Sequence, residues 1–296
     1  MKRFLILTNV LLACLLVLAS CSWTKTPEGV YITTNGDGTG YVSGIDNGTD
    51  ANLVIPSVSP KGDTVTAIGK QAAYRCETLT SVVIPDSITS IDSEAFAYCN
   101  SLTTVTIGNG VTSIGNWAFS SCSSLSSVSM GNGVTSVGTG AFLDCKSLTS
   151  IVIPNSVTSL GEQAFNGCTS LTSIEIPNSV TSVGKNVFSG CTNLTSVTIG
   201  GGVAQVNEDL FSDCHDLTSV IMANCVTEIG EGAFLGCDKL TLVVIPDSVT
   251  SIGYSAFPGL AEICFTGSES EWNAIAKADG WNCNRPEYTV HFNYNP

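Results

Sequence analysis

The chain has 296 residues, a formal net charge of −14, a pI near 4.3 and only 12% charged side chains. Such a composition leaves no basic patch for nucleic acid, and its two histidines, His215 and His291, give almost no material for imidazole catalysis or zinc ligation. With no phosphate-cradling glycine loop, metal-ligand cluster or cofactor motif, the sequence reads as a non-enzymatic protein that needs no cofactor and binds no metal.

Residues 1–20 read as a processing segment: Lys2 and Arg3 supply the positive start and Phe4 to Leu18 the apolar run. That run is shorter than the roughly 20 residues a spanning helix needs, so it is a leader and not a permanent anchor. The stretch Leu18-Ala19-Ser20-Cys21 resembles a bacterial lipobox. The resemblance implies cleavage before Cys21, lipidation of its thiol and tethering of the rest to a membrane through residues 21–28. Ser22, in place of an aspartate, makes an outer-membrane lipoprotein the expected product, possible surface display included.

Residues 29–52 predict a hairpin cap: "GVYITTNGDGTGYVSG" alternates apolar and polar residues on either side of Asn35-Gly36-Asp37-Gly38. Asn35 and Asp37 also suggest a calcium loop, but the third acidic ligand and the closing glutamate are missing, so a plain turn is the reading.

From 53 to 260 the chain repeats every 23 residues. Cysteine marks the register at Cys76, Cys99, Cys122, Cys145, Cys168, Cys191, Cys214 and Cys237; leucine follows three residues later, and phenylalanine precedes by three from Phe96 to Phe234. Aliphatics six and eight residues after each cysteine, such as Ile174 and Ile176, give the period-2 pattern of a short half-buried strand. A second short strand follows in "SVTSVG", and "KNVFSGC" returns to the core through a tight helical or turn segment. One such unit buries too little apolar surface to offset the entropy of ordering it, so units must stack into a solenoid with capped ends.

This unit, "CxxLTSVxIPxSVTSIGxxAFxxC", resembles the BspA-like leucine-rich repeat family of bacterial surface proteins over about Leu53 to Leu260. The resemblance implies a right-handed, β-rich leucine-rich-repeat solenoid with short strands and short helical turns, and a role in adhesion or other binding. Departures are local: Ala73 stands for the first phenylalanine, Asp92 and Asn207 for the glycine, and Leu260 for a ninth cysteine. Because equivalent side chains in stacked coils run parallel, the ladder cysteines are expected as buried free thiols and not as disulfides.

Residues 261–296 predict an α+β cap: "EICFTG" as a strand, a capping box from Ser268 to Glu271 opening a helix to about Ala278, and a terminal strand with Tyr288, Val290, Phe292 and Tyr294. Trp272 and Trp281 could alternatively make an aromatic ligand site. Cys264 and Cys283 are the best disulfide candidates, and Cys225 occupies a turn serine's place.

Function is sought among outward positions. Those of the first strands are almost all serine or threonine, forming rows of hydroxyls; Val83, Val152, Glu175, Ile221 and Val244 interrupt them and rule out a regular ice-binding lattice. Tyr74, Tyr98 and Trp117 fall beside the turn in three consecutive coils and form a candidate aromatic binding patch. Glu208, Asp209 and Glu231, with Asp213, Asp216, Glu228 and Asp238, concentrate negative charge: a solvated acidic face by default, or one that takes a cation or a basic partner. Cys214 and His215 are adjacent, but a buried ladder thiol points away from its neighbour, so the pair is not read as a nucleophile and base. The overall expectation is an adhesin-like envelope scaffold whose partner is a host or neighbouring-cell protein; glycan capture or a structural envelope role is the alternative.

Overall fold

The computed structural model describes residues 23–283 and 287–295. The stretch read as a leader, and Cys21, lie outside the described residues. Among those described, no helix is long and apolar enough to cross a membrane.

The chain is a β-solenoid of stacked coils. Each coil carries a first strand of up to four residues, as in Ser81–Ile84, Thr104–Ile107 and Ser173–Ile176, and a two-residue second strand, as in Ser90–Ile91 and Ser113–Ile114. Within each sheet the central coils pair in parallel with the equivalent 23 residues on: Val82 opposes Val105, and Ser90 opposes Ser113. Alternation places Val82, Ile84, Val105 and Ile107 in the core and their neighbours outside. The eight phenylalanines from Phe96 to Phe257 stack in one column, with centroids 5.2 Å apart at Phe96–Phe119 and 5.5 Å apart at Phe188–Phe211.

The cysteine column lines the corner beside them, and all eight thiols are buried and free. From Cys122 to Cys237 each Sγ–H donates to the carbonyl of the phenylalanine in the preceding coil: Cys122 to Phe96 at 3.1 Å, Cys145 to Phe119 and Cys168 to Phe142 at 3.3 Å. The thiol is thus a small apolar filler that also hands a weak hydrogen bond along the array. Burial pushes the thiols of Cys122, Cys145, Cys168, Cys191, Cys214 and Cys237 above their ordinary ionisation range.

The segment leading into each cysteine is a turn and not a helix. Two residues per coil, five and one before the cysteine, adopt the left-handed region: Glu94 and Tyr98 at φ 57° and 62°, Trp117 and Ser121 at 54° and 58°, Gln163 and Gly167 at 57° and 71°. Two left-handed residues four apart cannot continue a helix. Alternate amides of the turn point along the array: Trp117 N–H donates to Thr139 O at 2.7 Å, Phe119 N–H to Ala141 O at 2.8 Å and Ser121 N–H to Leu143 O at 2.7 Å.

Glycine after the second strand has a different cause. A Cβ on Gly184 would lie 2.4 Å from the backbone nitrogen of Glu162 in the preceding coil. Asn207 occupies this position, and there the second-strand ladder breaks between Ser182–Val183 and Gln205–Val206. Its side-chain amide donates to Val183 O, the carbonyl that the main-chain N–H reaches elsewhere, as Gly184 does to Leu160 at 2.8 Å.

At the N-terminal end, β1 (Trp23–Lys25), β2 (Val30–Thr34) and β3 (Thr39–Ile45) form an antiparallel cap. Strand β3 then pairs in parallel with Thr64–Ile68 of the first coil, so the cap extends the second-strand sheet. The expected hairpin is present; the stretch read as tether contributes β1, because Lys25 pairs with Asp46 and Trp23 packs edge-on against Tyr31 at 5.5 Å.

At the other end, α1 (Glu269–Ala274) starts with the expected capping box but stops before Ala278, as Ala276–Lys277 becomes a strand beside Ser251–Ile252. Trp272 and Trp281, 4% and 9% exposed, pack edge-on at 5.9 Å against each other and also meet Phe265 and Phe257. They are the hydrophobic plug of the cap, which corrects the idea of an aromatic ligand site. Cys264 and Cys283 are free thiols, with Cys283 Sγ 2.9 Å from Ser255 Oγ, which corrects the disulfide expectation.

Candidate binding site

The three aromatic residues singled out in the sequence converge. Tyr74, Tyr98 and Trp117 are 37%, 41% and 41% exposed and, with Glu94, Ala97, Ser120 and Leu143, line a hollow of about 260 Å³ on the turn side of the first coils. Tyr74 and Tyr98 meet edge-on with centroids 5.5 Å apart. Trp117 lies across the next coil: a Cβ on Gly140 would come 2.5 Å from the indole Cδ1, so only glycine leaves room for the ring.

Arg75 completes the site, and sequence reasoning missed it. Its guanidinium sits 5.3 Å from the Tyr74 ring centroid and 5.5 Å from that of Tyr98. No carboxylate pairs with it among the described residues. Glu94 in the hollow accepts from Gln71 Nε2 at 2.9 Å.

Backbone cost marks the same place. Gln71, Arg75, Glu94, Tyr98, Trp117 and Ser121 all hold left-handed conformations; later coils fill the equivalent positions with Gly140, Gly167, Gly190, Gly232, Gly236 and Gly259 or with polar residues, Gln163 among them, and never with an aromatic or cationic one. Each large residue there costs about 1 kcal/mol or more relative to glycine.

The acidic residues are dispersed into cross-coil pairs. Lys185 bridges to Glu208, Gln205 Nε2 donates to Glu228 at 3.0 Å, Lys239 pairs with Asp216 at 2.9 Å, and His215 Nδ1 lies 2.8 Å from Asp238. Partial burial, with Glu208 beside it, holds the Asp209 carboxyl above its ordinary range against the Asn186 hydrogen bond. Glu231 adds to that negative field. No group of three or more acidic, cysteine or histidine side chains is arranged to hold a metal among the described residues. Cys214 Sγ–H is committed to Phe188 O at 3.3 Å, away from His215.

The hydroxyl rows divide into two kinds. Threonines at the strand entries, such as Thr112, Thr135 and Thr158, donate to the carbonyl of the preceding coil's threonine at 3.0–3.1 Å and staple the stack. The outward serines and threonines of the first strands remain on the surface, with Val152 80% and Ile221 57% exposed among them. This face is interrupted where Ser150–Ile151 and Ser173–Ile176 fail to join one sheet. There a cleft of about 480 Å³ opens beside Val152 and Glu175. A cleft of about 660 Å³ lies where the N-terminal cap meets the second strands, with Tyr41, Lys70 and Asp92 on its walls.

The family model for the BspA type leucine-rich repeat region, in six copies, matches residues 52–168 and 135–264. A Treponema pallidum leucine-rich repeat protein of known structure is 26% identical, with a TM-score of 0.54 over 73% of this chain and 91% of its own. A leucine-rich cell surface protein from Faecalibacterium prausnitzii is 27% identical over 86% of this chain and 97% of its own, at a TM-score of 0.46. No curated protein matches the chain.

Proposed function

We propose that this chain, which belongs to the BspA-type leucine-rich repeat family, is an adhesin-like scaffold of the bacterial surface. It is non-enzymatic, is held to the outer membrane through lipidated Cys21 and contacts proteins of a host or a neighbouring cell. The observation that supports this reading is the first-strand face: an extended, nearly uncharged surface of hydroxyls with Val152 and Ile221 standing exposed among them. A mixture of hydrogen-bonding groups and isolated apolar anchors suits a broad protein interface better than a small-molecule cleft.

Surface plasmon resonance of the purified protein against immobilised extracellular-matrix proteins tests the binding role. Saturable binding that falls about tenfold in a Val152→Asp, Ile221→Asp double variant supports the strand face as the contact surface. Unchanged binding by that variant would exclude the face, and absence of saturable binding to any protein would sink the reading. Cys21→Ala should release the protein from the membrane fraction into the soluble one.

A further inference from the structure

We propose that the aromatic hollow of the first coils is a second, separate site, which takes an internal stretch of a neutral polysaccharide. It lies on the turn side of the array, away from the strand face assigned to protein partners, and does not depend on that assignment.

A pyranose ring has an apolar C–H face and an edge of hydroxyls that both donate and accept. A site for it combines exposed aromatic faces with groups that only donate and groups that only accept. Tyr74, Tyr98 and Trp117 supply the faces. Arg75 supplies the donor-only fork, free of any carboxylate partner among the described residues. Glu94 supplies the acceptor-only group, with its Oε2 already oriented by Gln71.

The charges decide against the other occupants. Glu94 in the hollow of a chain of net charge −14 opposes an acidic polymer. A lysine-rich peptide or a quaternary ammonium would be repelled by the Arg75 guanidinium that sits beside both tyrosine rings. A neutral chain meets neither obstacle. The three rings come from successive coils, so they form a strip along the array and not a closed pocket; such a strip fits the interior of a polymer and not its end.

The left-handed backbone provides clean variants. Trp117→Gly installs the residue found at the equivalent Gly140 and Gly232, and Tyr98→Gly the one at Gly167, Gly190 and Gly236, so both suit the local conformation. Affinity electrophoresis of the purified protein in gels containing β-1,3-glucan, β-1,4-xylan, mannan or galactan should show retardation by at least one. Each glycine variant should weaken it by about tenfold, with circular dichroism unchanged. Tyr254→Ala, which removes an exposed ring of the last coil, should leave it intact. No retardation by any of the four polymers, equal retardation of the glycine variants, or retardation by polygalacturonate alone would overturn the proposal.

Discussion

Raising the pH should unfold this protein through its cysteine column. Six thiols, at Cys122, Cys145, Cys168, Cys191, Cys214 and Cys237, are held by burial well above the ordinary value of 9.0. A raised folded-state value means that the stability is fully present below pH 9 and is lost as pH climbs toward the folded value, because only the unfolded chain gives up its protons. At pH 10 each thiol then costs about 1.4 kcal/mol, and six cost about 8 kcal/mol. That sum is comparable with the whole stability of an ordinary domain, about 5–15 kcal/mol. Urea midpoints followed by circular dichroism between pH 8 and 10.5 measure the effect, and the slope against pH reads the number of buried thiols independently of absolute stability. Replacing Cys145 and Cys168 by alanine should flatten that slope by about one third. A flat urea midpoint across this range, or rapid reaction of the folded protein's column thiols with a disulfide reagent at pH 9, would refute the reasoning.

Other perturbations follow from the stacking geometry. Phe165→Ala empties a fully buried place between rings 5.3 and 5.5 Å away and should cost about 3–5 kcal/mol in denaturant titration. Because each coil touches only its neighbours, it should also separate the unfolding of the two halves, as reported by Trp117 on one side and Trp281 on the other. Gly161→Ala drives a Cβ to 2.5 Å from the backbone of Gly138 and Thr139 and should destabilise by about 1–3 kcal/mol, while alanine at Gly36, which has open space, strains only its positive φ. Thr135→Val removes the hydroxyl bond to Thr112 O and should cost about 1 kcal/mol by the same assay.

Much of this architecture was legible because the repeat reports its core at every turn. Cysteine, leucine and phenylalanine in fixed register identify the inward positions, and the strict 23-residue step forces in-register parallel pairing. The turns were legible only as a choice between a helical segment and a turn. Their left-handed positions hold Gln, Glu, Trp, Asn, Asp, Ser and Gly in different coils, so no single residue type signals them, and Ala-Phe beside them suggests a helix. The ladder break at Asn207 was visible as a glycine departure, but its consequence depends on a backbone approach that only the stacked structure reveals.

The candidate site was half legible. Tyr74, Tyr98 and Trp117 differ in their offsets from the cysteine, yet their shared outward side could be read from the sequence. Arg75 could not be placed: its role depends on a ring-to-guanidinium geometry between two coils. The tryptophans of the C-terminal cap misled in the opposite direction, because beyond the last repeat no period tells inside from outside, and both close the core.

Stacking in register is tested most directly by deletion. Removing residues 146–168, one whole coil, should leave a protein with native-like circular dichroism and a single-register thiol column, whereas removing 146–157 should prevent folding although it excises fewer residues. Equal damage from both deletions, or better survival of the shorter one, would contradict the account.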